Sequence, residues 1–536
     1  MRRLLKLSKN NNGFIMAALI SFIVAALIFT GALLEIIDVN LSTVNTNVQS
    51  QKAFNIAEAG INYYLWHLSH NSTDYKDGQT TPATPDPTLG YGPYVHQYVD
   101  GNAINEGTFT LWINPQGGGS TIVTVRAIGQ VKGTNIIRTV QAQIGAASFS
   151  SYGVVSDSAL WFGNDETAAG PVESNQGIRL DGPNTDVASS ANTSYVPSLS
   201  VGGDGNSHPG VWCNTSVTSP VNCNTRPKTD WLYPVTSVDF NQVSSSLCTM
   251  KKTAFANDSS TAALANQANA CSQTPSTRTA AYIPQRSSSF SLTKGYLIML
   301  NTNNTYNLYN VNSENDRLTP YTNALGLQLV ASNIAVPSSN VIFVEDNVWV
   351  LSNPTYHGRV TIASGRLATS NNTDIVIAGN LLYSTKNGSD AIGLVAENSI
   401  FIAPYAPPPS GNFNYEIDGA LLAEAGAVTY GENGDAANNQ AGYRTNTSRC
   451  TYGWTNANQT FTFYGSVATR QTWTWNWEVG GNPCGDAAFD SVNGYISGIE
   501  NTNTQYDYNL LYNPPPSFPI TSGYNIISWR EVLTHP

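Results

Sequence analysis

Residues 14–34 form a run of 21 without a charged side chain, FIMAALISFIVAALIFTGALL. As a helix rising 1.5 Å per residue, such a run measures about 31 Å, the thickness of a bilayer's hydrocarbon layer. Arg2, Arg3, Lys6 and Lys9 precede it with no acidic residue, which predicts a cytoplasmic N-terminus and an exported remainder. A secretory signal peptide is the competing reading. Its apolar core, however, spans about 7–15 residues and ends in a small-residue cleavage site, and Leu33-Leu34-Glu35-Ile36-Ile37-Asp38 offers none. Beyond the run, Ile37, Leu41, Val44 and Val48 recur at spacings of four, three and four, the stripe of an amphipathic helix. The stripe resumes at Phe54, Ala57, Ile61, Leu65 and Leu68, and neither Pro nor Gly interrupts residues 35–59. One helix from Phe14 to about Leu68, about 80 Å long, is predicted.

The rest of the chain carries the two-residue and short-run patterns of strands. Residues 71–107 read as a Pro/Gly/Thr-rich connector, with TPATPDP at 81–87. Strands are predicted at 109–113, 121–130 and 136–144. In the last, Val140, Ala142 and Ile144 alternate with Thr139, Gln141 and Gln143. From about residue 148, apolar runs of three to five residues are separated by Gly or Asn, as at 341–344, 348–350, 359–362, 375–377, 391–395 and 399–402. Short strands at such intervals predict a parallel β-helix or solenoid of stacked coils. A β-sandwich is the alternative.

Composition narrows the function classes. Only 11% of residues are charged, with a formal net charge of −11. The acidic balance argues against nucleic-acid binding, and 41% apolar content argues against charge-driven disorder. The expected division is a basic leader (1–13), a transmembrane helix (14–34), its amphipathic continuation (35–70), and a connector with a small β-meander (71–147). A solenoid-like domain (148–430) follows, with a Cys-containing insertion at about 200–290, and then a C-terminal β region (431–536).

A short basic leader, Asn12-Gly13-Phe14, an apolar helix and then Ala53-Phe54-Asn55-Ile56-Ala57-Glu58-Ala59-Gly60-Ile61 resemble the N-terminal region of PilX-like minor pilins of type IV pilus systems. The likeness covers residues 10–70. Stretches at 170–175, 341–362, 377–380, 417–423 and 508–519 resemble the large C-terminal region that often accompanies such N-termini. The resemblance implies cleavage by a prepilin peptidase between Gly13 and Phe14, and partners among other pilin-like subunits, pilus assembly machinery and the membrane. It carries no defined activity. A major pilin would have Glu at the fifth mature position, where this chain has Ala18, a departure that fits a minor subunit.

Candidate chemistry is sparse. There is no H-E-x-x-H, G-x-S-x-G or G-x-x-x-x-G-K-[ST], and no cofactor or metal is expected. His67 and His70 read as the wet end of the helix, and Asp165, Glu166 and Asp204 as turn residues. The loop at 432–439, with Asp435 and three Asn, has the oxygen ligands but not the spacing of an EF-hand. Trp473, Trp475 and Trp477 share one face of an extended segment, either as core or as a contact surface for sugars or a partner. Six cysteines in an exported chain predict three local disulfides, Cys213–Cys223, Cys248–Cys271 and Cys450–Cys484. The sequence therefore predicts a pilin-like minor component of a type IV pilus or related secretion fibre. Its role is structural or adhesive, with surface glycans or a host cell as candidate contacts, and it is not an enzyme. A β-solenoid enzyme acting on extracellular polysaccharide and an anchored surface adhesin outside any filament are the alternatives.

Overall fold

The computed structural model describes residues 12–430 and 459–533, apart from 72–73, 82, 116–121, 165, 217–222, 224, 288, 316–319, 370–371, 404, 407–412, 480–488, 491–493, 500 and 512. Residues 1–11 of the leader, the 432–439 loop, Cys450 and Cys484 fall outside the described residues. So does the Trp477 side chain. The chain is mainly β with one long N-terminal helix, as its pattern predicts, and divides into two units.

The smaller unit contains residues 1–114, 123–144 and 526–536. Its helix α1 runs Asn12–His70, 59 residues without a break, or about 88 Å. Its sheet places β1 (Tyr91–Val99), β2 (Asn105–Pro115), β3 (Ile122–Val131) and β4 (Ile137–Ser148) side by side. The C-terminal strand Ile520–Val532 joins it beside β4. Two features depart from expectation. β1 lies in the stretch predicted as connector, and its partner contacts with β2 make it a full antiparallel strand. The end of the chain also belongs to this sheet rather than to a separate C-terminal region.

The larger unit comprises residues 145–525, most of which lie in the chain between β4 and that last strand, together with 115–122 between β2 and β3. Its strands β5 (Val154–Ser156), β6 (Val172–Ser174) and β7 (Ala188–Ser190) lie in an eleven-stranded sheet. β8 (Val341–Val344), β9 (Arg359–Ser364), β10 (Ala391–Ala396), β11 (Phe413–Ala423) and β12 (Gln459–Thr469) lie in the same sheet. β8 to β12 pair in sequence, always parallel. Between them the chain visits a second, seven-stranded sheet at Asn347–Asn353, Ile375–Ile377, Ile400–Ile402 and Val428–Tyr430, which pair parallel. In the same sheet Gly295–Asn301, Thr305–Glu314 and Leu325–Ala335 pair antiparallel with one another. Alternation between two sheets fits the predicted winding of stacked coils, and two facing sheets fit the sandwich alternative as well. β12 is then followed in the sheet by β5, β6 and β7, so the last of these strands in the chain joins the first ones and the sheet stays open at both ends.

The core explains the short apolar runs. Ile342, Val344, Ile362, Leu394, Ile417, Leu421 and Val467 point inward from the large sheet and are almost wholly buried. On the outer face of that sheet, Phe343, Ala363, Val395, Leu422 and Ala468 pack with Val243, Leu247, Met250, Ala254 and Phe255. These last five belong to helix α2 (Gln242–Ala256) in the predicted insertion. With both faces covered, the strands are apolar throughout rather than alternating. Each buried Val, Leu, Ile or Phe contributes about 1.5–3 kcal/mol, an upper estimate because the unfolded chain is itself partly compact. The insertion also holds the disulfides Cys213–Cys223 and Cys248–Cys271.

Candidate functional site

The element compatible with a membrane anchor is the first part of α1. That part has no buried face. Phe14, Phe22, Ile28 and Phe29 are 68–80% exposed, and the most apolar window of the helix is entirely uncovered. It is the one helix among the described residues long and apolar enough to cross a membrane. Exposure continues past residue 34, since Ile37, Leu41, Val44 and Val48 are also uncovered. Ser21, Thr30, Thr43 and Thr46 turn their hydroxyls back to the carbonyl four residues earlier, which keeps their polar atoms satisfied without water.

The last third of α1 is clamped to the sheet. Ala53, Ile56, Ala57, Ile61, Tyr64 and Leu68 are buried, so the predicted stripe is right at Ala57, Ile61 and Leu68. Phe54 and Leu65 instead lie at its margin, half-exposed. Small residues set the approach. A Cβ on Gly129 of β3 would stand 2.1 Å from the Ala53 carbonyl oxygen and 2.5 Å from the Ala57 nitrogen. A Cβ on Gly60 would stand 3.0 Å from the Phe109 ring and 3.1 Å from the Ala127 methyl. The A-F-x-x-A-E-A-G stretch is thus the docking segment, with Ala53, Ala57 and Gly60 against the sheet. Phe54 meets Trp529 edge to face at 5.7 Å, and the Arg138 guanidinium lies 5.5 Å from the Phe54 ring. Arg138 also pairs with Glu531 through both carboxylate oxygens and donates to the Ser50 hydroxyl at 2.6 Å, joining helix, β4 and the C-terminal strand. Glu58 and Ala59 are half-exposed at the rim.

At the helix end, aromatic and acidic side chains fix the start of the connector. His67 Nε2 is 3.1 Å from Asp74 Oδ2, and His96 Nε2 is 2.6 Å from Asp77 Oδ2. Tyr63 donates to Asp77 at 3.0 Å, and Tyr64 donates to the Asp74 carbonyl at 2.9 Å. Burial, then the neighbouring Asp77 charge, pushes the Tyr63 phenol up to about 12. His70 faces the Trp66 carbonyl, so His67 and His70 do not converge on one ligand. No group of His, Cys, Asp and Glu suited to a metal occurs among the described residues.

The other predicted site residues scatter. Trp473 and Trp475 are not an exposed platform. They are 6% and 1% exposed and pack edge to face at 5.3 Å, with Trp475 against Phe461 and Phe463 and Trp473 against Phe162. Their shared face is turned into the core of the larger unit. Glu166 accepts from the Gly163 N–H at 3.0 Å, and Asp204 accepts from the Asn206 N–H at 2.9 Å, as turn residues do.

No protein-family model matches the chain, and no curated protein matches it. Among solved structures it is similar to the competence-associated pilin ComZ from Thermus thermophilus, with 91% of this chain and 98% of that one covered at 13% identity. The TM-score of that pair is 0.29, too low for the likeness to carry an argument.

Proposed function

We propose that this chain is a membrane-anchored, pilin-like subunit of a type IV pilus or related fibre, of the PilX-like minor kind, that presents its large solenoid unit at the cell surface. The observation that carries the reading is α1. One unbroken helix is apolar and uncovered at its start, and its end is docked through Ala53, Ala57 and Gly60 on an antiparallel sheet. Water does not tolerate so long an uncovered apolar helix. Lipid covers it in the membrane, and neighbouring subunits cover it in a fibre. Transfer from one to the other requires losing Arg2, Arg3, Lys6 and Lys9, because drawing those cations through lipid costs several kcal/mol. Prepilin peptidase is therefore a partner, with Gly13-Phe14 as its junction. An adhesive role toward glycans or a host cell belongs to the same proposal and rests on the size of the exported unit.

The test is the N-terminal sequence of the protein recovered from cells with and without a prepilin peptidase, and its presence in sheared fibres. A chain that begins at Phe14 only when the peptidase is present supports the reading. A chain that keeps Met1 or Arg2 and stays in the membrane fraction overturns it.

A further inference from the structure

Two tryptophans in the core of the larger unit have their ring faces covered and their nitrogens unanswered. Trp475 packs on Phe461 and Phe463, Trp473 packs on Phe162, and the two indoles meet edge to face. An indole N–H can only donate a hydrogen bond. Neither Trp473 Nε1 nor Trp475 Nε1 has an acceptor among the described residues, although both side chains are more than nine-tenths buried. Buried tryptophans ordinarily find one, because an unpaired buried donor is costly. Trp349 donates to the Tyr405 hydroxyl and Trp212 to the Tyr195 hydroxyl, each at 3.0 Å.

Both tryptophans line a cavity of about 230 Å³. The strand Thr502–Tyr506 supplies another side of it. Its parallel register against β12, Phe461↔Thr502 and Phe463↔Thr504, puts the two threonines on the same sheet face as the two phenylalanines. That is the face on which Trp475 packs, so Thr502 and Thr504 stand beside it. Glu166 and Thr167, which follow the strand Leu160–Phe162, also line the cavity. The Gly163 N–H fixes Glu166 by donating to its Oε2 at 3.0 Å.

We propose that this cavity receives one neutral sugar ring, the terminal residue of a glycan, an inference that rests on the adhesive part of the function proposed above. The occupant has to accept bonds from the two indole donors and give bonds to the Glu166 carboxylate. Hydroxyl groups do both, and the threonine hydroxyls take either role. An anion would answer the indoles but meet the Glu166 charge, and a cation would leave the indoles unpaired. The volume lies below the about 300–1,000 Å³ of sites for drug-sized ligands, which limits the occupant to a single ring. With the aromatic faces covered, recognition comes from hydrogen bonds rather than stacking. Such a site rejects a ring that lacks the hydroxyls it is built to bind.

The experiment uses the full chain, isotope-labelled at its tryptophan nitrogens and purified in a detergent without a sugar headgroup. Methyl glycosides of glucose, galactose, mannose and N-acetylglucosamine are titrated separately while the indole N–H resonances are followed. At least one glycoside should shift the Trp473 and Trp475 signals, assigned through Trp473→Phe and Trp475→Phe. The expected Kd is about 1 mM, that of a ring of about twelve heavy atoms at ordinary ligand efficiency. Glu166→Gln should raise it about tenfold, the loss of one hydrogen bond to a charged group. In the unmodified chain the same glycoside should slow hydrogen exchange in residues 502–506, a readout that depends on no variant folding. No shift with any of the four at about 50 mM, far above that Kd, overturns the proposal. So does a Kd that Glu166→Gln leaves unchanged, or equal binding of methyl glucuronide, whose carboxylate the Glu166 charge should repel. None of these results depends on cleavage at Gly13-Phe14, so failure of the sugar site and failure of the pilin reading are separate outcomes.

Discussion

Replacing Gly129 by Ala tests how α1 is held. The added methyl would lie 2.1 Å from the Ala53 carbonyl oxygen and 2.5 Å from the Ala57 nitrogen, both backbone atoms of the helix. Neither can rotate away, so the helix must lift from β3 along the segment that buries Ala53, Ile56 and Ala57. Overpacking costs about 1–3 kcal/mol where side chains can adjust, and a backbone obstacle puts this case at the upper end, about 3 kcal/mol. That is roughly a hundredfold in an opening equilibrium. Gly60→Ala supplies the contrast. Its methyl would meet side-chain atoms of Phe109 and Ala127 at 3.0 and 3.1 Å, which yield by a few tenths of an ångström. Gly to Ala inside a helix also gains up to about 1 kcal/mol, so the net change should stay within about 1 kcal/mol. Hydrogen exchange of the full chain, read by mass spectrometry, separates the two. Gly129→Ala should lose about a hundredfold protection over residues 53–68 and leave residues 341–423 unchanged. Normal protection in Gly129→Ala, or a larger loss in Gly60→Ala, would refute the docking geometry.

Lys251→Met should cost about 3–5 kcal/mol, because it leaves Glu345 buried and uncompensated. Adding Glu345→Gln should restore most of the loss in thermal unfolding, and a double variant as unstable as the single one would contradict this. Burial holds Lys251 below and Glu345 above their ordinary values, which is why removing one partner alone is so damaging. Non-reducing peptide mapping should return Cys213–Cys223 and Cys248–Cys271, and replacing the second pair by Ser should cost about 2–4 kcal/mol, seen as faster exchange in residues 242–256. The bond from Arg138 holds Glu531 below its usual value. Since the folded value is the depressed one, this contribution is complete above about pH 4.3 and disappears as pH falls through the folded value. The protection of residues 526–532, relative to the intrinsic exchange rate at each pH, should therefore fall in acid, and Glu531→Gln should remove that dependence.

The helix was legible because its signals are local: cations, then an uncharged run, then apolar residues at helical spacing. Its docking face was read less well. The sequence stripe weighted Phe54 and Leu65 for their size, whereas contact with the sheet depends on how closely backbones approach, and that favours Ala53, Ala57 and Gly60. β1 escaped notice because Gly92 and Pro93 interrupt its alternation. Short apolar runs revealed the winding, but the order of stacking leaves no local trace. The Trp473 and Trp475 face was visible and its direction was not, since an alternating segment looks alike whether it faces a core or a partner. The stacking of the charged residues that follow the strand ends of the large sheet was missed for a different reason. Glu345, Glu397, Glu424 and Arg470 are far apart in the chain and meet only because their strands stack. A usable signal existed, in that VIFVE, LVAE, LLAE and VATR each end an apolar run with one charge.

The pairing of β12 with β5 bears on when the fold can be completed. Synthesis from the N-terminus delivers β5, β6 and β7 early, yet β5 meets its other neighbour only when β12 emerges, and Ser156 and Gln471, bonded across that seam, stand 315 residues apart. Contacts so distant in sequence form late. In the interval the open edge of β5 is three residues long, too short to capture another strand effectively, while β8 to β11 can assemble on one another in the order they appear. Joining the seam is then the last step. A chain that stopped before Gln459 would leave two edges unpaired, that of β5 and the eleven-residue edge of β11. The longer one is the natural template for intermolecular strand pairing and aggregation.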